Sequence, residues 1–151
     1  GAGAAAPVVP AQGSVIVPPP SRRRTILVVD DEEDIRAVVR QMLAADGYLV
    51  LDAEDPNQAL RLAAQQPVDL LPTDVVMPLM RGTELAQRLL AVVPTAKVLL
   101  MSAYKVAEIT ASKHPFLAKP FTPEMLRDRV REILRDEPSP FARRPPTGPA
   151  R

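Results

Sequence analysis

At 151 residues, 46% of them apolar, the chain has room for one domain with a real core and falls with soluble globular proteins. Cysteine is absent, which removes disulfides, thiolate metal sites and thiol nucleophiles together; no apolar run approaches the roughly 20 residues that cross a bilayer, and no export signal opens the sequence, so a cytoplasmic location is expected. The net charge of +1 conceals a division: residues 1–24 and 138–151 each carry three Arg and no acid, while 25–137 carry 13 basic and 18 acidic residues, the wrong balance for a domain that grips nucleic-acid phosphates.

Ten of the 18 prolines fall in the same two ends, five in each. Segments so rich in Pro, Ala and Gly bury too little apolar surface to offset their ordering entropy, so 1–24 is expected to be a flexible leader or linker and 138–151 a flexible tail. The folded domain is expected at 25–137. Within it, Ile26-Leu27-Val28-Val29 reads as a strand buried on both faces and ends in Asp30-Asp31. Ile35, Val38, Val39, Met42 and Leu43 then recur at helical spacing, with Gly47 as a C-terminal stop. Tyr48 to Ala53 reads as a second strand, and Asp55-Pro56 supplies an N-cap and first-turn Pro for a helix through about Gln65. Val68 to Asp74 is the third strand, Thr83 to Ala91 a helix, and Lys97 to Met101 the fourth strand. A short helix over Lys105 to Ala111 and a brief strand at Phe116 to Ala118 follow. Leu126, Val130, Ile133 and Leu134 mark the apolar face of a last helix that begins at Thr122-Pro123.

Five strands alternating with five helices predict an α/β domain with a doubly wound parallel sheet, because parallel strands need crossovers. Sites in such sheets lie beyond the carboxyl ends of the strands. Asp30, Asp31, Asp74, Ser102 and Lys119-Pro120 all fall there. Three carboxylates brought together repel one another unless a cation sits among them, and an oxygen-only donor set favours a hard ion such as Mg2+ (or Mn2+). A carboxylate flanked by that ion and a lysine can attack phosphorus to give an acyl phosphate. Taken singly, Asp30-Asp31 would read as a helix N-cap, Lys119 as a surface lysine and Phe116 as core filling. Their arrival at successive strand ends favours the site. His114 lies in a short His-Pro loop, not on a helix of the kind that carries phosphohistidine.

Four segments, Val28-Val29-Asp30-Asp31-Glu32, Thr73-Asp74-Val75-Val76-Met77-Pro78 with Gly82, Met101-Ser102-Ala103 and Lys119-Pro120-Phe121, resemble those of response-regulator receiver domains. The resemblance covers roughly residues 25 to 136, and the style of the segments looks like that of receivers of hybrid sensor histidine kinases. It implies a flavodoxin-like sheet of strand order 2-1-3-4-5 and a role in phosphorelay signalling, as a phosphoacceptor with intrinsic autophosphorylation and autodephosphorylation and not as an enzyme acting on other substrates. Asp74 matches the phosphoacceptor. Asp31 matches the direct metal ligand, Asp30 its companion acid, and Val76 the residue whose backbone carbonyl completes the metal site. Lys119 matches the phosphoryl-contacting lysine, and its bond to Pro120 is usually cis in the family. Ser102 matches the switch hydroxyl and Phe116 the aromatic rotamer switch, with Tyr104 able to share that role. The implied partners are a histidine kinase or histidine phosphotransfer protein upstream and a downstream protein at the surface of the fourth helix, fifth strand and fifth helix, where a phosphorylation-dependent dimer would also form. Direct nucleic-acid binding and membrane insertion are not expected.

Two features depart from that pattern. Pro72 occupies a central strand, where it removes a ladder donor, so a bulge, a stability cost or a shifted Asp74 is expected. The stretch from Ser102 to Lys119 is short, so the fourth helix should be abbreviated or irregular. These departures favour an alternative, a pseudo-receiver that binds partners without phosphate, against the intact set of Asp30, Asp31, Asp74, Ser102 and Lys119. A phosphatase of another doubly wound family would need an acid two residues after the nucleophile, where this chain has Val76. No output domain is read after the last helix, which leaves either a free-standing regulator or a piece of a hybrid kinase.

Overall fold

The computed structural model describes residues 23–104 and 107–135. Of the ends expected to be flexible, residues 1–22 of the leader and all of the tail 138–151 lie outside the described residues. The chain runs β1 (Thr25–Val29), α1 (Glu33–Ala45), β2 (Leu49–Ala53), α2 (Pro56–Gln65), β3 (Leu70–Asp74), α3 (Gly82–Val92), β4 (Lys97–Ser102), α4 (Ala107–Ser112), β5 (Phe116–Ala118) and α5 (Pro123–Arg135). The strands form one parallel sheet in the order β2-β1-β3-β4-β5.

Side chains alternate across the strands and divide the core in two. Leu27, Val29, Leu71 and Leu100 face Ala59 and Ala63 of α2 and Leu85 and Leu89 of α3. Ile26, Val28, Leu70, Leu99 and Met101 face Val39 and Leu43 of α1 and Leu126 and Val130 of α5. Burial on both faces is why the strands read as continuous apolar runs.

Local signals set the helix ends. The Asp55 carboxylate accepts the Gln58 N–H at 2.9 Å ahead of Pro56, and the Thr122 hydroxyl accepts the Met125 N–H at 3.1 Å ahead of α5. Gly47 takes φ +97, a left-handed turn that reverses the chain after α1. Tyr48 and Val68 fall just outside the strands expected to contain them. Val38 departs from the expected apolar face of α1: it is 52% exposed, while Val39 and Leu43 are fully buried. It sits on the flank of the stripe, beside a shallow groove completed by Ala103, Pro120 and Phe121.

Pro72 introduces no bulge, contrary to expectation. The offset between β1 and β3 is the same at Ile26–Leu70 as at Val29–Thr73, and the five pairs from Leu70–Lys97 to Asp74–Met101 run unbroken against β4. The Val75 N–H reaches the Met101 carbonyl, so residues 71, 73 and 75 present their donors to β4 and residue 72 faces β1. The two pairs absent from the β1 ladder, at Leu27 and Val28, are those that a donor from residue 72 would complete. One missing hydrogen bond toward β1 is the whole distortion, and Asp74 stays in register.

The fourth helix is abbreviated, as expected. It spans six residues from Ala107, with Ile109 its buried residue, and Lys105 and Val106 lie outside the described residues.

Candidate functional site

Three acidic residues meet at the carboxyl edge of the sheet. Asp30 follows β1 and is fully buried, Asp74 ends β3 and is 8% exposed, and Asp31 opens toward solvent. One oxygen from each lies within 4.8 Å of the others. The cation among them is Lys119, which follows β5. Its Nζ donates to Asp30 Oδ2 at 2.7 Å and stands 3.5 Å from Asp74 Oδ2 and 3.6 Å from Glu32 Oε1.

Charge is poorly balanced here. Burial pushes the Asp74 carboxyl above the usual carboxylate range; the Lys119 charge and the Val75 N–H oppose the rise, and the charges of Asp30 and Asp31 add to it. Burial alone would lower Lys119, but its bond to Asp30 and the charges of Asp30, Asp74 and Glu32 outweigh burial and hold it above the ordinary lysine value. One ammonium therefore serves several carboxylates. An oxygen-only cluster with surplus negative charge fits a hard divalent cation, which would sit among Asp30, Asp31 and Asp74.

The remaining candidates divide. Val76 and Ser102 line the same cleft, of about 230 Å³, as Asp31, Asp74 and Lys119. Ser102 is buried, and its Oγ accepts the Tyr104 N–H at 2.9 Å. The Lys119 N–H donates to the Ser102 carbonyl at 2.9 Å, which ties β5 to β4 at the cleft floor. The Lys119–Pro120 peptide bond is cis. Phe116 does not reach the cleft: it begins β5 opposite Leu100 and packs, half-buried, against the core on the α2 and α3 side. Tyr104 lines the cleft and is 65% exposed.

Sequence reasoning passed over three contributors. Gly82, present in the quoted motif without a role, lies where a Cβ would fall 2.1 Å from the Asp74 carbonyl oxygen, so only glycine lets α3 begin so close to the site. Thr73 donates its hydroxyl to the same carbonyl at 2.9 Å. Arg36, in α1, donates to the Asp30 carbonyl at 2.8 Å and to Asp52 at 3.2 Å. The spacing Asp74 to Gly82 carried a signal for the first; contacts to backbone carbonyls left none for the others.

A doubly wound sheet with three acids and one lysine at its carboxyl edge is an arrangement in which an aspartate can take a phosphoryl group. The response regulator receiver domain matches residues 26–131. Response regulator MprA of Mycobacterium leprae is 35% identical over 106 residues, which is 67% of this chain and 46% of that protein. The chain thus spans about half the length of the curated relatives it matches first. The receiver domain of the hybrid histidine kinase CckA aligns with TM-score 0.65 and 36% identity, covering 73% of this chain and 98% of that one. A CheY-like receiver domain protein from Methanospirillum hungatei aligns with TM-score 0.71 and 27% identity, covering 76% and 96%. The chain belongs to the response regulator receiver domain family, the phosphorelay modules of two-component signalling.

Proposed function

We propose that Asp74 accepts a phosphoryl group from a phosphohistidine, with Mg2+ or Mn2+ held by Asp30, Asp31, Asp74 and the Val76 carbonyl. The observation that carries this reading is the placement of Asp74 between a lysine at 3.5 Å and two further carboxylates within 4.8 Å. An Asp74 oxygen forms the new bond to phosphorus while the nitrogen–phosphorus bond of the donor breaks, and the freed imidazole keeps the electron pair and takes up a proton. The divalent ion supplies charge neutralisation at the phosphoryl oxygens. Lys119 contacts the phosphoryl group on its other side, and Ser102 gives up the Tyr104 N–H to donate its hydroxyl to a phosphoryl oxygen. Phe116 then follows Ser102 as the switch.

The reading extends to organisation. A domain over 25–137 takes phosphate from a histidine kinase or phosphotransfer protein in the cytoplasm, as a free-standing regulator or as part of a hybrid kinase, and signals through α4, β5 and α5. The groove between α1 and Pro120-Phe121 opens beside Lys119. Among the described residues no helix is long and apolar enough to cross a membrane. Asp74 stays in register with β4 despite Pro72, which weighs against the phosphate-independent binding module, while the short α4 is the departure that still speaks for it. Intact-mass spectrometry after acetyl phosphate and Mg2+ tests the reading. One added phosphoryl group, lost without Mg2+ and in Asp74→Asn, is expected; an unmodified wild-type chain would sink it.

A further inference from the structure

Asp31 presents a carboxylate to the acidic cluster although, among the described residues, no hydrogen bond or ion pair engages its side chain. Its placement must come from the main chain. Both peptide groups that flank it are anchored: the Asp30 carbonyl accepts from Arg36 Nη1 at 2.8 Å, and the Glu32 N–H donates to Asp30 Oδ1 at 2.9 Å. The second anchor is local. The first reaches back from the body of α1, through a side chain only 12% exposed.

Arg36 is itself fixed. Its Nε donates at 3.2 Å to Asp52 Oδ2 in β2, and Asp52 stands opposite Val28, two residues before Asp30. Arg40 adds a second charge 3.6 Å from Asp52 Oδ1. A planar guanidinium whose Nε is committed to a strand carboxylate has little freedom left in the direction of Nη1, unlike the point charge of a lysine. The bridge from β2 thereby locks the Asp30–Asp31 peptide plane.

We propose that Arg36 is a positioning residue for the divalent-cation ligand Asp31: by holding the Asp30 carbonyl it fixes the peptide plane from which the Asp31 carboxylate meets the ion. The proposal rests on the metal reading above and adds a residue that touches neither ion nor phosphate. Outer groups that orient metal ligands are commonly worth about tenfold or more in affinity.

The test is Mn2+ titration of the full chain, followed by electron paramagnetic resonance. Arg36→Ala is expected to bind Mn2+ about tenfold more weakly, with Arg36→Lys intermediate and Asp52→Asn shifted in the same direction. Val130→Ala, which opens a cavity in the core away from the site, should keep wild-type affinity. In the metal-free protein the Asp31 amide resonance should move in Arg36→Ala and stay in Val130→Ala. Wild-type affinity in Arg36→Ala, or an equal loss in Val130→Ala, would overturn the proposal. Should Arg36→Ala fail to fold, wild-type affinity in Arg36→Lys does the same. Asp31→Asn separates the two readings: if it binds Mn2+ as wild type does, the metal reading fails and Arg36 with it; if it alone loses binding, only the role of Arg36 fails.

Discussion

Arg81 and Glu108 form a two-pronged ion pair, with Nη2 2.6 Å and Nε 3.1 Å from Glu108 Oε1, that joins the residue before α3 to the second residue of α4. The Thr83 hydroxyl donates a further bond to Glu108 Oε2 at 2.9 Å. Ile109 is the buried residue of α4, and these contacts add a polar tie at its first turn. Glu108→Gln and Arg81→Ala should each raise amide exchange across Ala107 to Ser112 several-fold and leave β3 and β4 unchanged. Equal protection in both variants would show that packing alone holds α4.

The same pair dictates a pH response. The bond to Arg81 holds the Glu108 carboxyl below its ordinary value of 4.5, with the Thr83 hydroxyl and the Arg81 charge helping. A depressed acid stabilises the fold above its unfolded value and loses that contribution as pH falls through its folded value. The α4 anchor should therefore weaken only below about pH 4.5. Carbon-detected titration of Glu108 should show a midpoint under that value, moving upward in Arg81→Ala.

Gly82→Ala should be costly. The new methyl would enter the Asp74 carbonyl at 2.1 Å and crowd Val75 Cα at 2.9 Å, and backbone cannot yield as a flexible side chain can. A loss of about 2 kcal/mol is expected from overpacking, with slower phosphorylation by acetyl phosphate because the Asp74 carbonyl must shift. Urea denaturation and intact-mass kinetics would measure the two effects.

Lys119→Ala would leave the fully buried Asp30 without its counter-ion. Breaking such a pair costs about 3 kcal/mol when buried, and less at the rim of a cleft. Mg2+ should restore part of the loss by supplying charge to the same cluster. Thermal melts with and without Mg2+ check this, and a variant equally stable in both conditions would refute it.

Pro72→Val restores the donor facing β1. A gain of about 1 kcal/mol from the added hydrogen bond is expected, offset in part by the freer unfolded chain. Phosphoryl incorporation at Asp74 should not change, because the ladder to β4 is already whole.

Much of this molecule was legible because its signals are local. Asp55-Pro56 and Thr122-Pro123 announce helices whose caps bond as those residue types should. The acids and Lys119 were legible as a site because parallel topology sends every strand end to one edge. The consequence of Pro72 was not, since which neighbour residue 72 faces depends on pairing register and not on its own sequence. Val38 looked apolar enough to bury, but it lies at the edge of the helical stripe, where it lines an open groove with Ala103 and Phe121. Arg36 was silent because one of its partners is a main-chain carbonyl, which any residue carries.

The ion pair between Lys119 and Asp30 joins residues 89 positions apart, from the end of β5 to the end of β1, passing over β3 and β4. During synthesis all three acids emerge long before the lysine that balances them. A partly made chain therefore carries the acids without the ammonium that Asp30 and Asp74 face in the finished domain. The charge that balances the cluster is thus supplied by the last strand of the sheet, and the acids that end β1 and β3 lack it until β5 is in place.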